Sequence, residues 1–290
     1  MKEQTVLAHA KVNLTLDILR RRPDGYHDLE MVMQSISLHD AVTVRTETGS
    51  GEIVVHAGRE DLPSGPENIA WKAADAFFEA AGIVNDGVEI TIEKHIPAAA
   101  GMAGGSADGA AVLRALREFL CPEMPDVELE RIGARVGSDV PFCVHGGTAL
   151  AEGRGERLTD LAPMPACSMV ICKPDFGLST PQLFGRVRVD DIARRPDHGA
   201  MKAALAAGDL SGVADALCNV FCEVLAEKER HEILHIRQVM LENGALNAVM
   251  TGSGPTVFGL FDKETAAQTA ADALRREYAQ VFLAEPVNQR

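Results

Sequence analysis

From residue 5 to residue 19 apolar and polar side chains alternate with period two, interrupted only by Leu7 and Leu19, which commits this segment to one long strand with two unlike faces. Val6, Ala8, Ala10, Val12, Leu14, Leu16 and Ile18 form one face, and Thr5, His9, Lys11, Asn13, Thr15 and Asp17 the other. Pro23-Asp24-Gly25 then signals a turn. Further strands are predicted over Met31 to Leu38, Ala41 to Thr46, Glu52 to His56 and Gly87 to Lys94. A helix is predicted over Glu67 to Ala81, stopped by Gly82, and another over Glu128 to Val136. Between them a glycine-rich loop runs into a helix in which Leu113, Leu116 and Leu120 share a face. The second half reads as a strand over Cys167 to Lys173, helices over Gly199 to Ala207 and Val213 to Glu242, and strands over Ala248 to Met250 and Thr256 to Phe261. A helix over Lys263 to Tyr278 and a last strand, VFLAEPV, complete it. Strands and helices alternate without a strict βαβ rhythm, so the expected class is α+β, with domains over 1–160 and 161–290.

Charge narrows the function. With 28 basic and 42 acidic residues the net charge is -14. A nucleic-acid binder needs the opposite balance to displace counterions, so no nucleic-acid partner is expected. Phosphate recognition survives, because helix N-termini and backbone N–H groups bind it on an acidic protein. Polar residues interrupt the first segment at His9, Lys11 and Asn13, and no stretch approaches the roughly 18 apolar residues of a membrane span. A cytoplasmic protein with no membrane partner is therefore expected, as a monomer or homodimer. The six cysteines lack a CxxC; Cys218 and Cys222 fall on one face of the helix predicted there and read as small buried hydrophobes, so no metal ligands are assigned.

The chemistry-bearing signal is the loop. Gly101, Gly104 and Gly105 let the backbone approach a ligand, and their N–H groups can form an anion nest. Ser106 stands where the helix begins and can offer its hydroxyl to a phosphate or a metal-bound oxygen. No Gly-Lys-Ser/Thr follows, so this is not a Walker A loop, and the spacing is not the Rossmann GxGxxG. From residue type alone Asp139, in GSDVPF, is either a general base or a turn and cap residue. Lys11 is either a cation for transition-state charge or a lysine on an exposed strand face.

The loop pattern, P-x3-G-x2-G-G-S from Pro97 through Ser106, resembles the phosphate-binding motif of the GHMP kinases. AKVNLTLDI at 10–18 and TGSGPTVFGLF at 251–261 resemble that family's N-terminal and C-terminal motifs. The resemblance implies a mixed-sheet N-terminal domain, a ferredoxin-like C-terminal domain and an active site in the cleft between. ATP is implied as co-substrate with Mg2+, held by Pro97, Ala98, Ala99, Ala100, Gly101, Met102, Ala103, Gly104, Gly105, Ser106 and Ala107. Lys11 and Asp139 are implied as catalytic. RRPDGYHDLEMVMQSISLHD at 21–40 and GSDVPFCVHGGTALAEGRGE at 137–156 are similar to the branch whose small-molecule acceptor is a cytidine diphosphate-linked alcohol, phosphorylated on the 2-hydroxyl of its methylerythritol part.

The substrate residues implied are Asn13, Tyr26, His27, Thr180, Phe184, Gly252, Ser253 and Gly254. Tyr26 and Phe184 are expected to face opposite sides of the base, with His27 reading its polar edge. Asp108, just inside the helix, is expected to complement the helix N-terminus. Ala107 stands where many members carry a second hydroxyl, and Met102 where leucine is usual. Another GHMP kinase, acting on homoserine or phosphomevalonate, and a non-catalytic nucleotide-binding paralogue are the alternatives.

Overall fold

The alternating segment forms β1 (Lys2–Arg21), and after the turn at Gly25 the chain returns antiparallel as β2 (His27–Thr46). The structure is a computed structural model that describes residues 2–46, 49–59 and 62–288. β2 corrects the expectation of two strands. Nothing between Leu38 and Ala41 is Gly or Pro, so the backbone stays extended, and the mismatch is absorbed in register. His9 pairs with His39 but Lys11 with Ser35, so the second strand carries the extra residues.

β3 (Ile53–His56), α1 (Ile69–Ala81) and β4 (Val88–Glu93) follow. Asn68 caps α1 by accepting from the Ala70 N–H, and Gly82 ends it in the left-handed region. Next come α2 (Gly104–Leu120), α3 (Asp126–Val136), α4 (Val140–His145), β5 (Thr148–Gly153) and β6 (Arg157–Asp160). The last three are too short to leave a periodic signal in the sequence.

The second half contributes β7 (Ser168–Lys173), α5 (Thr180–Arg186), α6 (His198–Ala207), α7 (Leu210–Asp215), β8 (Cys218–Asn219) and α8 (Glu227–Glu242). β9 (Asn247–Met250), β10 (Val257–Phe261), α9 (Glu264–Leu274) and β11 (Gln280–Ala284) complete it. The single helix expected over 213–242 is broken. Asn219 accepts from the Phe221 N–H at 3.0 Å, a local bond that competes with the helical one, and Cys218–Asn219 pair in parallel with Thr15–Leu16. Cys218 and Cys222 therefore share no helix face. Both are free thiols, and burial pushes Cys222 up to about 11. The last helix stops at Leu274, with residues 275–278 continuing as hydrogen-bonded turns.

The strands make two sheets. A seven-stranded mixed sheet runs β3-β4-β2-β1-β8, with β5 and β6 added beside β2. A four-stranded antiparallel sheet runs β11-β7-β10-β9, and its connectivity, with α8 and α9 as crossovers, is ferredoxin-like. This is the α+β, two-sheet architecture expected of the family. The chain's last described residues return to the first sheet: Pro286 bridges Ile36, and the Val287 N–H donates to the Ser35 carbonyl.

β1 feeds both cores. Val12 and Leu14 pack in one cluster with α1, α2 and part of the second sheet, whereas Leu16 and Ile18 join the other with Phe142, Phe221 and Phe261. The change coincides with the bulge between Asn13 and Thr15. That bulge re-aims the strand without breaking it.

Asn219 ties the two sheets together. Its Nδ2 donates to the carbonyls of Met250 at 2.7 Å and Gly252 at 2.9 Å, and all three groups are buried. Asn219→Ala leaves two buried carbonyls unsatisfied. It should lower the unfolding free energy by about 1–3 kcal/mol, seen as a reduced urea midpoint at unchanged slope.

Candidate active site

The polar face of β1 is not a solvent face. Lys11, Asn13, Thr15 and Asp17 are all buried, because elements of the second half cover them. The Asn13 N–H donates to Thr251 Oγ1 at 2.9 Å, Thr15 Oγ1 pairs with His198 Nδ1 at 3.0 Å, and Arg195 donates to Asp17 at 2.6 Å. Where this cover parts, a cleft of about 1000 Å³ opens. Lys11, Asn13, Tyr26, His27, Pro97 through Ser106, Asp139, Thr180, Phe184 and Gly252 through Gly254 all line it. Ala107 does not; it lies behind the wall, buried in the core.

At the centre Lys11 Nζ donates to Asn13 Oδ1 at 2.7 Å and to the Gly101 carbonyl at 3.1 Å, and stands 3.8 Å from Asp139 Oδ2. The lysine side chain is 5% exposed and the aspartate side chain 34%. The cation is thus fixed at the floor while the carboxylate remains open to a ligand. Asp139 occupies the cap position of α4, yet its side chain caps no N–H of that helix. Its carboxylate is left to Lys11 and the cleft.

The two glycine loops lean on each other through backbone alone. A Cβ on Gly101 would come within 2.4 Å of the Thr251 carbonyl, and one on Gly252 within 2.5 Å of the Gly101 carbonyl. Both glycines also have positive φ. Side chains are excluded at both positions, because the obstructing atoms are main chain. Ala99 and Ala103 take positive φ too, a costly conformation for a residue with a Cβ, and Ala103 starts α2 without a side-chain cap. The first N–H groups of the helix, at Gly104 and Gly105, are left for a ligand in the cleft.

A charge cluster at the loop end of the cleft escaped the sequence reading. Lys94 is buried between Asp40 and Asp108, with its ammonium on both carboxylates, at 2.8 Å from Asp108. Asp40 also accepts from the Ile96 N–H at 2.7 Å. This corrects the role expected of Asp108: it points at Lys94 and not at the helix N-terminus, since it lies beyond the first turn of α2. Its Oδ1 is buried without a hydrogen-bond partner among the described residues. No spacing signal links residues 40, 94 and 108, which only the packing of β2, the end of β4 and α2 brings together.

The other end is aromatic. The His27 ring lies parallel to Phe184, centroids 4.9 Å apart at 18°, and Phe221 meets Phe184 edge-on. The sequence reading set Tyr26 and Phe184 about one base; here the ring stacked on Phe184 is His27. Tyr26 is 55% exposed, with the Arg154 guanidinium 4.9 Å above its ring. Thr180 Oγ1 hydrogen-bonds Ser253 Oγ at 2.7 Å, joining α5 to the second glycine loop. Sequence reasoning missed Thr251 and Arg154, though each adjoins a glycine pair that marks a tight turn: Gly252 and Gly254, and Gly153 and Gly155.

Burial pushes the Asp108 carboxyl up to about 7, against the pull of Lys94 and with the charge of Asp40 adding to the rise. Folding therefore favours its protonated form. That contribution is complete below the ordinary carboxylate range and is lost as pH rises through about 7. Urea titrations should show Asp108→Asn gaining on the wild type between about pH 5 and about pH 8. A constant difference would place the proton elsewhere in the cluster.

Comparison with known proteins falls on the same elements. Residues 68–147 match the model for the GHMP kinases N terminal domain and residues 201–280 that for the GHMP kinases C terminal. A relative from Pelotomaculum thermopropionicum, named 4-diphosphocytidyl-2-C-methyl-D-erythritol kinase, is 45% identical over 99% of both chains. One of the same name from Clostridium tetani is 39% identical over 97% of this chain and 99% of its own. The crystal structure of a 4-(cytidine 5'-diphospho)-2C-methyl-D-erythritol kinase superposes with a TM-score of 0.82 at 34% identity, covering 99% of this chain and all of that one. Homoserine kinase from Cytophaga hutchinsonii, at 20% identity and a TM-score of 0.77, covers all of this chain and 96% of its own and shares the fold.

Proposed function

Because the chain belongs to the GHMP kinase family, we propose that it transfers the γ-phosphoryl group of ATP to the 2-hydroxyl of 4-diphosphocytidyl-2-C-methyl-D-erythritol. The reaction would lie in the cytoplasm, on the non-mevalonate route to isoprenoid precursors. The observation that carries this reading is one cleft joining a phosphate loop, a Lys–Asp pair and an aromatic end. The names of the full-length relatives support the acceptor. Among the described residues no helix is long and apolar enough to cross a membrane.

Phosphoryl transfer to an alcohol needs alignment, a proton acceptor and positive charge on the transferring oxygens. The loop from Pro97 to Ser106 and the start of α2 hold the ATP phosphates through backbone N–H groups. Asp139 accepts the hydroxyl proton, since it is the open member of the pair. Lys11, pinned by Asn13 and Gly101, keeps its charge at the centre as negative charge develops. Cytosine lies against Tyr26 and the His27–Phe184 stack, while Thr180, Ser253 and the Gly252–Gly254 turn hold the phosphate-bearing part. Residues 1–160 and 161–290 are the two domains that meet there.

The residues present fit Mg2+. Ser106 Oγ lies against the Gly137 end of the segment carrying Asp139, where an added Cβ would sit 3.9 Å from it. No group of three His, Cys, Asp or Glu forms a metal cage among the described residues. A single hydroxyl donor suits an ion that keeps water and takes substrate phosphates as ligands. Ser106 would hold it through its hydroxyl, with water and substrate phosphates as its other ligands, which leaves Asp139 free as the base; when bound it adds positive charge at the phosphates.

Single-turnover kinetics with ATP and the cytidine diphosphate-linked alcohol test the pair. Asp139→Asn should slow transfer by about 10²–10⁴-fold with little change in ATP affinity. Lys11→Met should also slow it, and the double variant should lose much less than the product. An Asp139→Asn rate within about twofold of wild type would remove the base from the mechanism. Comparable turnover of homoserine or phosphomevalonate would overturn the acceptor assignment.

A further inference from the structure

We infer that Arg154, with Arg21, forms a diphosphate-binding rim that makes the acceptor site selective for a nucleoside diphosphate-linked alcohol over the nucleoside itself. The inference rests on the acceptor reading given above and assigns a specificity role to two residues outside the catalytic pair.

The charge distribution is the starting point. In a chain of net charge -14, the aromatic end of the cleft is rimmed by Arg21, Arg154 and Arg188. Its neighbours in the Arg20-Arg21-Arg22 run are already neutralised. Arg20 pairs with Asp28 at 2.6 Å, and Arg22 pairs with both Asp24 and Asp28 at 3.0 Å. Arg21 has no such partner among the described residues; it lines the cleft, where its charge acts on His27, as well as the hollow it shares with Arg20 and Arg22.

Arg154 sits at the tip of the β5–β6 turn, between Gly153 and Gly155, both with positive φ. β5 pairs with β2, so this tip stands beside the turn that carries Tyr26. The guanidinium lies 4.9 Å over the Tyr26 ring. Its charge acts on Asp24, which is already paired with Arg22, but no side-chain hydrogen bond or ion pair of its own is found among the described residues. Stacking fixes the plane of the guanidinium while leaving its N–H fork free. A fork of that kind, held at the edge of a base-stacking surface, matches a phosphate attached to the stacked nucleoside. Neither Thr180, Ser253 nor the second glycine loop adds a cation; of the three arginines Arg154 is held over the Tyr26 ring and Arg21 acts on His27, whereas Arg188 turns back to the Val187 carbonyl at 3.4 Å.

Calorimetry with cytidine and with CDP as probes separates this role from simple support of Tyr26. Arg154→Met preserves an apolar cover on the ring and removes the charge. It should weaken CDP about 10- to 100-fold, the span of a charge-assisted contact. Cytidine should weaken no more than about two- to fivefold, the size of an exposed cation–π contact. Arg154→Lys should recover part of the CDP loss, and Arg21→Met should weaken CDP selectively by a smaller factor. In the phosphoryl-transfer assay the loss should fall on KM and spare kcat, and it should shrink as salt rises. Equal losses for cytidine and CDP would reduce Arg154 to a support for Tyr26 and overturn the inference, as would wild-type protein binding both probes with equal affinity. Wild-type protein that binds neither probe would instead overturn the acceptor reading itself.

Discussion

Burial of a polar row on a single strand organises this molecule. Lys11, Asn13, Thr15 and Asp17 lie on β1 away from water, and each must find a partner or cost the fold heavily. Those partners come from far along the chain: Gly101, Thr251, His198 and Arg195. β1 is therefore fastened to the first glycine loop and to loops and a helix of the second half by hydrogen bonds that sequence neighbours cannot make. The same demand keeps Lys11 in place. A lysine with two assigned acceptors and an ion-pair partner has little rotamer freedom left to lose when a ligand arrives, so the cleft is organised before it is filled.

The glycine loops serve the same arrangement at the backbone level. Gly101 gives its carbonyl to Lys11 and its missing Cβ to the Thr251 carbonyl. Asn219 then holds the second loop from behind through Met250 and Gly252. Neither loop can move far without the other. A phosphate loop supported in this way presents fixed N–H dipoles, which stabilise a developing charge more effectively than groups that must first turn toward it.

What the sequence disclosed and what it concealed follow from the range of the forces involved. The period of two in β1, the Gly82 stop of α1 and the glycine spacing from Gly101 to Gly105 are local, and each was readable. So was the α+β class. The join of β2 across Leu38 to Asp40 was not, because the slack lies in pairing with β1 and not in its own composition. The helix through Cys218 failed for a related reason: local propensity favoured it, and two residues of parallel pairing with Thr15 and Leu16 overrode it. In the cleft, residues next to glycines could be singled out. Lys94 with Asp40 and Asp108 could not, since they meet only through tertiary packing. The stacking of His27 on Phe184 is likewise a matter of side-chain direction, which a sequence does not carry.

The return of the last described residues to the first sheet bears on how the chain is made. Pro286 and Val287 complete hydrogen bonding at Ile36 and Ser35, and β8 completes the edge of β1. The first hairpin thus waits for partners that leave the ribosome much later. The first half cannot close its sheet as it emerges, and it must carry an open edge and a half-covered polar row until those partners arrive. Such non-local closure slows folding and leaves that edge as the place where a chaperone, or another nascent chain, can pair first.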